Sequence, residues 1–288
     1  MKLGKVIRWE FRQIVRSKQF LIVTILLPAI LALVVFAVSR AIGAESEGPV
    51  SPPPPAIIAI FISIILFIGA FMSGVMTMYG VLKEKQTRSA EMMLSSVSAW
   101  DLMSGKMIGL GLAGLLQVIV WVAMAYFVAG LFIPMSLSSL SLVHWIAYPF
   151  YFVLGFLFIA SIFGTVGAAI KDIHSGGAIG LAGMIPYLPM MLSVVIVRQP
   201  HLIWVRIAGF FPPFTPAVML LRLGAAPMME NGPTQVPVWE VAGTILSLAL
   251  GTYFMMRFAA KVFEVGMLMT GKSASLRELW RWGRRGHS

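Results

Sequence analysis

The sequence predicts an all-α integral membrane protein with six transmembrane helices. Three observations carry that reading. The 288-residue chain is 59% hydrophobic and only 11% charged, with a mean hydropathy of +0.89. Soluble domains do not have such a composition. Six apolar stretches, at 20–38, 56–82, 107–131, 144–170, 177–197 and 238–257, come close to or exceed a span; crossing a hydrocarbon core of ~30 Å takes about 20 residues of helix. The cations gather on one side of these stretches. With the N-terminus inside, 18 of the 22 Lys and Arg residues fall inside and only Arg40, Arg198, Arg206 and Arg222 fall outside. The positive-inside rule then places both termini in the cytoplasm of a multi-pass protein of the cell membrane.

Residues 1–19 read as an amphipathic helix lying in the membrane interface. Lys5, Arg8, Arg12 and Arg16 recur on one face, and Leu3, Ile7, Phe11 and Ile14 on another. The basic segment and the apolar run after it are too long for a cleaved leader, so an uncleaved signal anchor is expected. Glu10 falls on the apolar side. Either it snorkels or meets a lipid-facing cation, or it pairs with a cation of the second cytoplasmic segment and fixes the helix to the bundle. In the first span Pro28 predicts a kink. The outer connection ends in four prolines, 52–55, which favour a stiff polyproline II spacer and leave no room for an external domain.

Gly69, Ser73, Gly74 and Thr77 in the second span predict close helix packing. The cytoplasmic segment 83–106 reads as helix, break and helix before the third span. Glu84 and Arg88 are four apart and Arg88 and Glu91 three apart, a helical spacing. Met92, Met93 and Leu94 interrupt the polar run. Ser98 and Asp101 fit a capping box around Trp100. An apolar knob beside charges suits docking to a cytoplasmic partner; an ordinary connecting loop fits equally well. The fifth span is expected to break at Pro186 and Pro189. The outer region 198–237 is apolar and Pro-broken, too short to cross twice. It reads as a re-entrant hairpin, tolerable at that depth only if buried in protein or lining a cavity. Arg206 and Arg222 flank it and are expected to snorkel to the outer headgroups. The tail, 258–288, is basic and amphipathic, with Trp280 and Trp282 as interfacial anchors.

Little in the sequence points to catalysis. Residues 266–273 match G-x-x-x-x-G-K-S, but a membrane span precedes them, and too little chain follows for the sheet a P-loop needs. The match is read as accidental. With no cysteine, disulfides and thiol chemistry are excluded. The four histidines lie apart, none with a partner at metal-ligand spacing. The span cores carry no charge, so a proton relay or acid-lined ion path lacks support. No enzyme activity, cofactor or metal is expected on this chain. The net charge of +11 is accounted for by cations at membrane edges, so nucleic acid is not an expected partner.

Several segments, taken together, resemble the permease subunits of the type 2 ABC exporter family over nearly the whole chain. Residues 9–18 are similar to that family's interfacial connecting helix, ahead of a first span with a central proline. Residues 83–98 resemble its first cytoplasmic loop: a charged run, Arg88-x-x-Glu91, the triplet Met92, Met93 and Leu94, then small residues. Gly105 and Lys106 continue that block. Residues 211–216, with Met219 and Arg222, resemble its re-entrant region, and 265–272 the ending of a branch that includes sodium-efflux permeases. The resemblance implies one permease domain, 1–288, in which 83–106 is a coupling segment seated in a separate ATP-binding subunit. Its contact residues would be Glu84, Arg88, Glu91, Met92, Met93, Leu94, Trp100 and Asp101. Glu10, Arg12 and Arg16 would mark the interfacial helix, and Phe211, Pro212, Pro213, Phe214 and Pro216 an outer gate. ATP and magnesium would reside on the partner, and two permeases, alike or different, would pair within membrane lipid. The implied function is ATP-driven export of a hydrophobic or amphipathic substrate such as a lipid, drug or peptide-like molecule. The alternatives are a sodium-efflux permease and a non-transporting scaffold that binds a cytoplasmic partner.

Overall fold

The computed structural model of the chain describes residues 2–18, 20–22, 24–26, 29–30, 55–87, 98–132, 142–171, 176–225, 236–268 and 278. The elements among them are helices: α1 Lys2–Val15, α2 Pro55–Gln86, α3 Ala99–Phe132, α4 Leu142–Ala169, α5 Gly176–Met191, α6 Ser193–Arg198, α7 Ile203–Gly209, α8 Thr215–Ala225 and α9 Val238–Leu268. The described residues include four helices long and apolar enough to cross a membrane, over Ser63–Gln86, Ala99–Trp121, Leu142–Ala169 and Val238–Gly266. They correspond to the second, third, fourth and sixth predicted spans. Of the first span, the described residues are helical, starting where Ser17 Oγ accepts the Phe20 N–H at 3.2 Å. Pro28 and most of the proline spacer lie outside the described residues, but Pro55 opens α2, a position where its missing N–H costs nothing.

Three boundaries differ from the sequence reading. First, α3 starts at Ala99 and runs unbroken to Phe132, so Trp100 to Lys106 belong to the spanning helix rather than to a separate one. Ser98 sets that start, its Oγ accepting the Asp101 N–H at 3.1 Å, and no later residue stops the helix. Second, α5 continues through Pro186 and Pro189 and breaks only at Leu192. Each proline removes one helical hydrogen bond, and the helix survives one turn of such losses before it ends. Third, α9 continues to Leu268 instead of stopping at 257. Ala259, Ala260, Val262 and Phe263 are buried there, so the first part of the predicted tail is packed helix. Gly266 lies on it, where a Cβ would come 2.6 Å from the Ala168 carbonyl oxygen. The glycine of the P-loop-like match thus permits a close helix crossing. Trp280 and Trp282 lie outside the described residues.

The core is organised on α4. Tyr151, Phe152, Phe156, Ile159 and Phe163 are buried in it, against Phe67 and Met78 of α2, Met103 and Met107 of α3, and Phe263 of α9. Small residues receive the large ones: Gly111 faces the Phe156 ring and Gly74 faces Ile159. Met72, Met76 and Tyr79 of α2 and Leu246, Leu250 and Phe254 of α9 are exposed. Such apolar outward faces suit hydrocarbon rather than water.

Candidate functional site

The last turn of α2 and the first turns of α3 mark one end of the bundle, and α1 is seated there on glycine. Gly105 and Gly109, one turn apart on α3, form a flat strip on which α1 rests. A Cβ at Gly105 would meet Val6 Cγ1 at 2.7 Å, and one at Gly109 would meet Glu10 Cβ at 2.7 Å and the Ile7 carbonyl oxygen at 2.9 Å. Lys106, between them in sequence, is only 3% exposed. Its ammonium lies 2.5 Å from Glu10 Oε1 and 2.6 Å from Glu84 Oε1. Three helices from distant parts of the chain therefore meet at one buried cation. A buried charge persists only when paired and hydrogen-bonded, and an ammonium has three donors to distribute. Of the two readings of Glu10, this geometry is the pairing with a cation of segment 83–106. Lys106, counted in the sequence reading as one more inside cation, is the hub. The sequence clue was a lone Lys flanked by Gly105 and Gly109 just ahead of an uncharged run.

Two further contacts bind this end. Lys85 Nζ donates to the carbonyls of Ala168 at 2.6 Å and Ile170 at 3.2 Å. A cation thereby closes the C-terminus of α4, where carbonyls lack helical partners and the helix dipole is negative. Arg257 of α9 lies 5.5 Å from the centre of the Trp100 ring and 5.3 Å from that of Tyr253, a cation–π clasp. The helix ends that flank the α2–α3 connection are thus anchored: Glu84 leads through Lys106 to α1, and Trp100 leads through Arg257 to α9. Asp101 serves the cap of α3 and is an acid in its first turn. Arg12 and Arg16 are on the exposed side of α1, away from Glu10. Arg88, Glu91, Met92, Met93 and Leu94 lie outside the described residues.

The opposite end is built from α7, the turn at 210–214, and α8. Every residue of α8 is buried. Its carbonyls find side-chain donors: Ser63 Oγ donates to Leu220 O at 2.6 Å, and His144 Nε2–H to Leu223 O at 2.8 Å. Pro212 covers Gly251 of α9 and Pro216 covers Gly155 of α4, at 2.6 and 2.7 Å from where Cβ atoms would stand. Phe211 and Phe214 meet edge to face at 5.1 Å beside Pro213. Pro212 and Pro216 thus wedge against α9 and α4, while Phe211 is half exposed and Phe214 packs on the Ile196 and Val205 cluster.

Arg222 corrects the sequence reading. It does not snorkel; it is 0% exposed, because α8 has protein on every side and offers no route to the headgroups. Its Nη2 donates to Glu240 Oε2 at 2.8 Å and its Nε to the Pro200 carbonyl at 2.7 Å. Arg206 pairs with the other oxygen of Glu240 and lies over the Trp239 ring at 5.7 Å. Glu240 (1% exposed) was missed as a partner for both arginines. The available signal was an acid at the mouth of an apolar span, which is rarely left unpaired. The span cores carry no charge among the described residues; the buried charges sit at the span ends, and every one just described is paired within the protein. Among the described residues no group of three or more His, Asp or Glu is placed to hold a metal ion.

Comparison with known proteins bears on the whole of this architecture. An uncharacterized protein of Methanocaldococcus jannaschii is 26% identical over 205 residues, which cover 69% of this chain and 47% of that protein. The uncharacterized protein YhaP of Bacillus subtilis is 23% identical over 231 residues, covering 75% of this chain and 52% of its own length. The chain spans about half the length of these curated relatives. Residues 49–261 match the family described as ABC-2 family transporter protein. That match runs from ahead of α2 to within α9 and takes in both the α2–α3 connection and the α7–α8 wedge. The chain belongs to the ABC-2 family of transporter proteins.

Proposed function

We propose that the chain is the six-span permease subunit of an ATP-driven ABC exporter. In this reading both termini are cytoplasmic, and the two spans beyond the four long helices are the 20–38 stretch and α5 with α6. Residues 83–106 receive a separate ATP-binding subunit, with Met92, Met93 and Leu94 as the apolar knob and Arg88 and Glu91 beside them. ATP and magnesium stay on that subunit. A second permease, identical or not, completes the pair. The α7–α8 wedge is a re-entrant outer hairpin past which a hydrophobic or amphipathic substrate leaves.

The observation that carries the reading is the anchoring of the α2–α3 connection. A push on a free loop would dissipate. A push here is transmitted through Glu84, Lys106 and Glu10 to α1, and through Trp100 and Arg257 to α9. The helices then move as packed bodies between two states, as alternating access requires.

The test is reconstitution in vesicles of the chain with its ATP-binding subunit, following ATP-dependent movement of a labelled phospholipid and an amphipathic dye. Met93→Asp with Leu94→Asp should leave folded protein and lose ATP-driven transport. ATP-driven flux of sodium alone would favour the sodium-efflux alternative, and no flux with a bound partner would favour the scaffold.

A further inference from the structure

The apolar side of α1 is occupied by α3, which leaves its other side unexplained. Lys5, Arg8, Trp9, Arg12, Gln13 and Arg16 line a shallow groove of about 430 Å³ there. It holds four cations and no carboxylate, because Glu10, the one acid of α1, is turned the opposite way onto Lys106. None of the four makes an ion pair among the described residues. Like charges three and four apart on a helix repel, so the groove gains stability from an anion. Trp9, 50% exposed among them, is a residue suited to the level of lipid headgroups. Beyond Ser17 the chain turns helical again, and Leu21, Ile22, Ile25 and Leu26 are each about half exposed. Their spacing makes one apolar stripe, which begins five residues after Arg16.

A basic groove followed at once by an apolar stripe matches a molecule with an anionic head and hydrocarbon tails. We infer that α1 binds an anionic phospholipid, its phosphate held by Arg8 and Arg12 beside Trp9 and its chains lying along Leu21 to Leu26. An acidic protein surface would engage the cations but would have no use for the stripe. The site does not depend on the exporter reading and would exist in a scaffold as well.

Native mass spectrometry of the detergent-purified full chain, titrated with phosphatidylglycerol or phosphatidylcholine, tests it. Each cation near an anionic surface contributes enough that losing two should weaken binding by at least about tenfold. The Arg8→Gln/Arg12→Gln variant should therefore lose phosphatidylglycerol preference by that factor, with phosphatidylcholine binding unchanged. Lys83→Gln, an exposed cation off the groove, should behave as wild type. Both variants remain folded, since neither side chain takes part in the α1–α3 seat. Equal phosphatidylglycerol binding by wild type and the double variant would overturn the inference. So would a double variant that keeps the lipid but sheds a co-purifying subunit, which would make the groove a protein interface.

Discussion

The two ends of this molecule solve the same problem with opposite charge arrangements. At the α2–α3 end one lysine joins two carboxylates, Glu10 and Glu84; at the other end one carboxylate, Glu240, joins two arginines, Arg206 and Arg222. The first cluster draws its members from three helices spread over 97 residues of sequence, 10 to 106; the second lies entirely within 206–240. The difference in chemistry fits the difference in reach. An ammonium is a compact charge on a flexible stem, able to keep its partners while helices shift. A guanidinium is a planar fork with fixed donor directions. Arg222 is further held by the Pro200 carbonyl. One cluster is suited to carry motion between elements, the other to hold a local hairpin in place.

The largest effect should come from the rigid end. Glu240→Gln leaves Arg222 buried without its counter-charge, and arginine cannot neutralise itself by losing a proton. The expected cost is about 3–5 kcal/mol, read as a lowered melting point in detergent. Replacing Glu240 and Arg222 together by Leu and Met should recover most of it, because no orphaned buried charge remains.

At the other end Lys106→Met should cost less, about 2–3 kcal/mol. It leaves two facing carboxylates, and these can neutralise by taking up a proton. The stability of this variant should fall more steeply than that of wild type as pH rises from 5 to 8, since that proton is then lost. A flat profile for the variant would mean that Glu10 and Glu84 separate freely, and the comparison between the ends would fail. Gly109→Ala probes the same cluster through packing. Its Cβ would collide with Glu10 and the Ile7 carbonyl, for about 1–3 kcal/mol. Hydrogen exchange should rise over α1 and stay unchanged over α9. Smallest is Ser98→Ala, which removes the cap of α3 and should cost about 1 kcal/mol, with faster exchange confined to the first turn of that helix.

The membrane character of the chain and four of its spans were legible because an apolar run of span length has few other uses. Two short helices were legible too: prolines 212, 213 and 216 interrupt an apolar stretch, and Ile203–Gly209 and Thr215–Ala225 are those helices. What could not be read was which charges are buried. Lys106 looks like Lys83 or Lys171 in sequence, one more cation beside an apolar run; only the seat of α1 on Gly105 and Gly109 takes it from water. Arg222 looks like Arg198, and only burial of α8 on all sides distinguishes them. Two of the boundary differences, at α3 and α9, share a cause with the length of α2. Helices α2, α3 and α9 extend past their apolar runs because Glu84, Lys106 and Arg257 found partners that allow polar residues to continue the helix. Hydropathy alone ends a span where such partners begin.

The most direct test of the central claim, that the α2–α3 connection is the seat of an ATP-binding subunit, is purification of the full chain from its native membrane in mild detergent, with mass spectrometry of what stays bound. The account predicts a stoichiometric ATP-binding-cassette subunit, retained with wild type and lost with Met93→Asp/Leu94→Asp. A chain that purifies alone, or keeps that subunit in the variant, would contradict it.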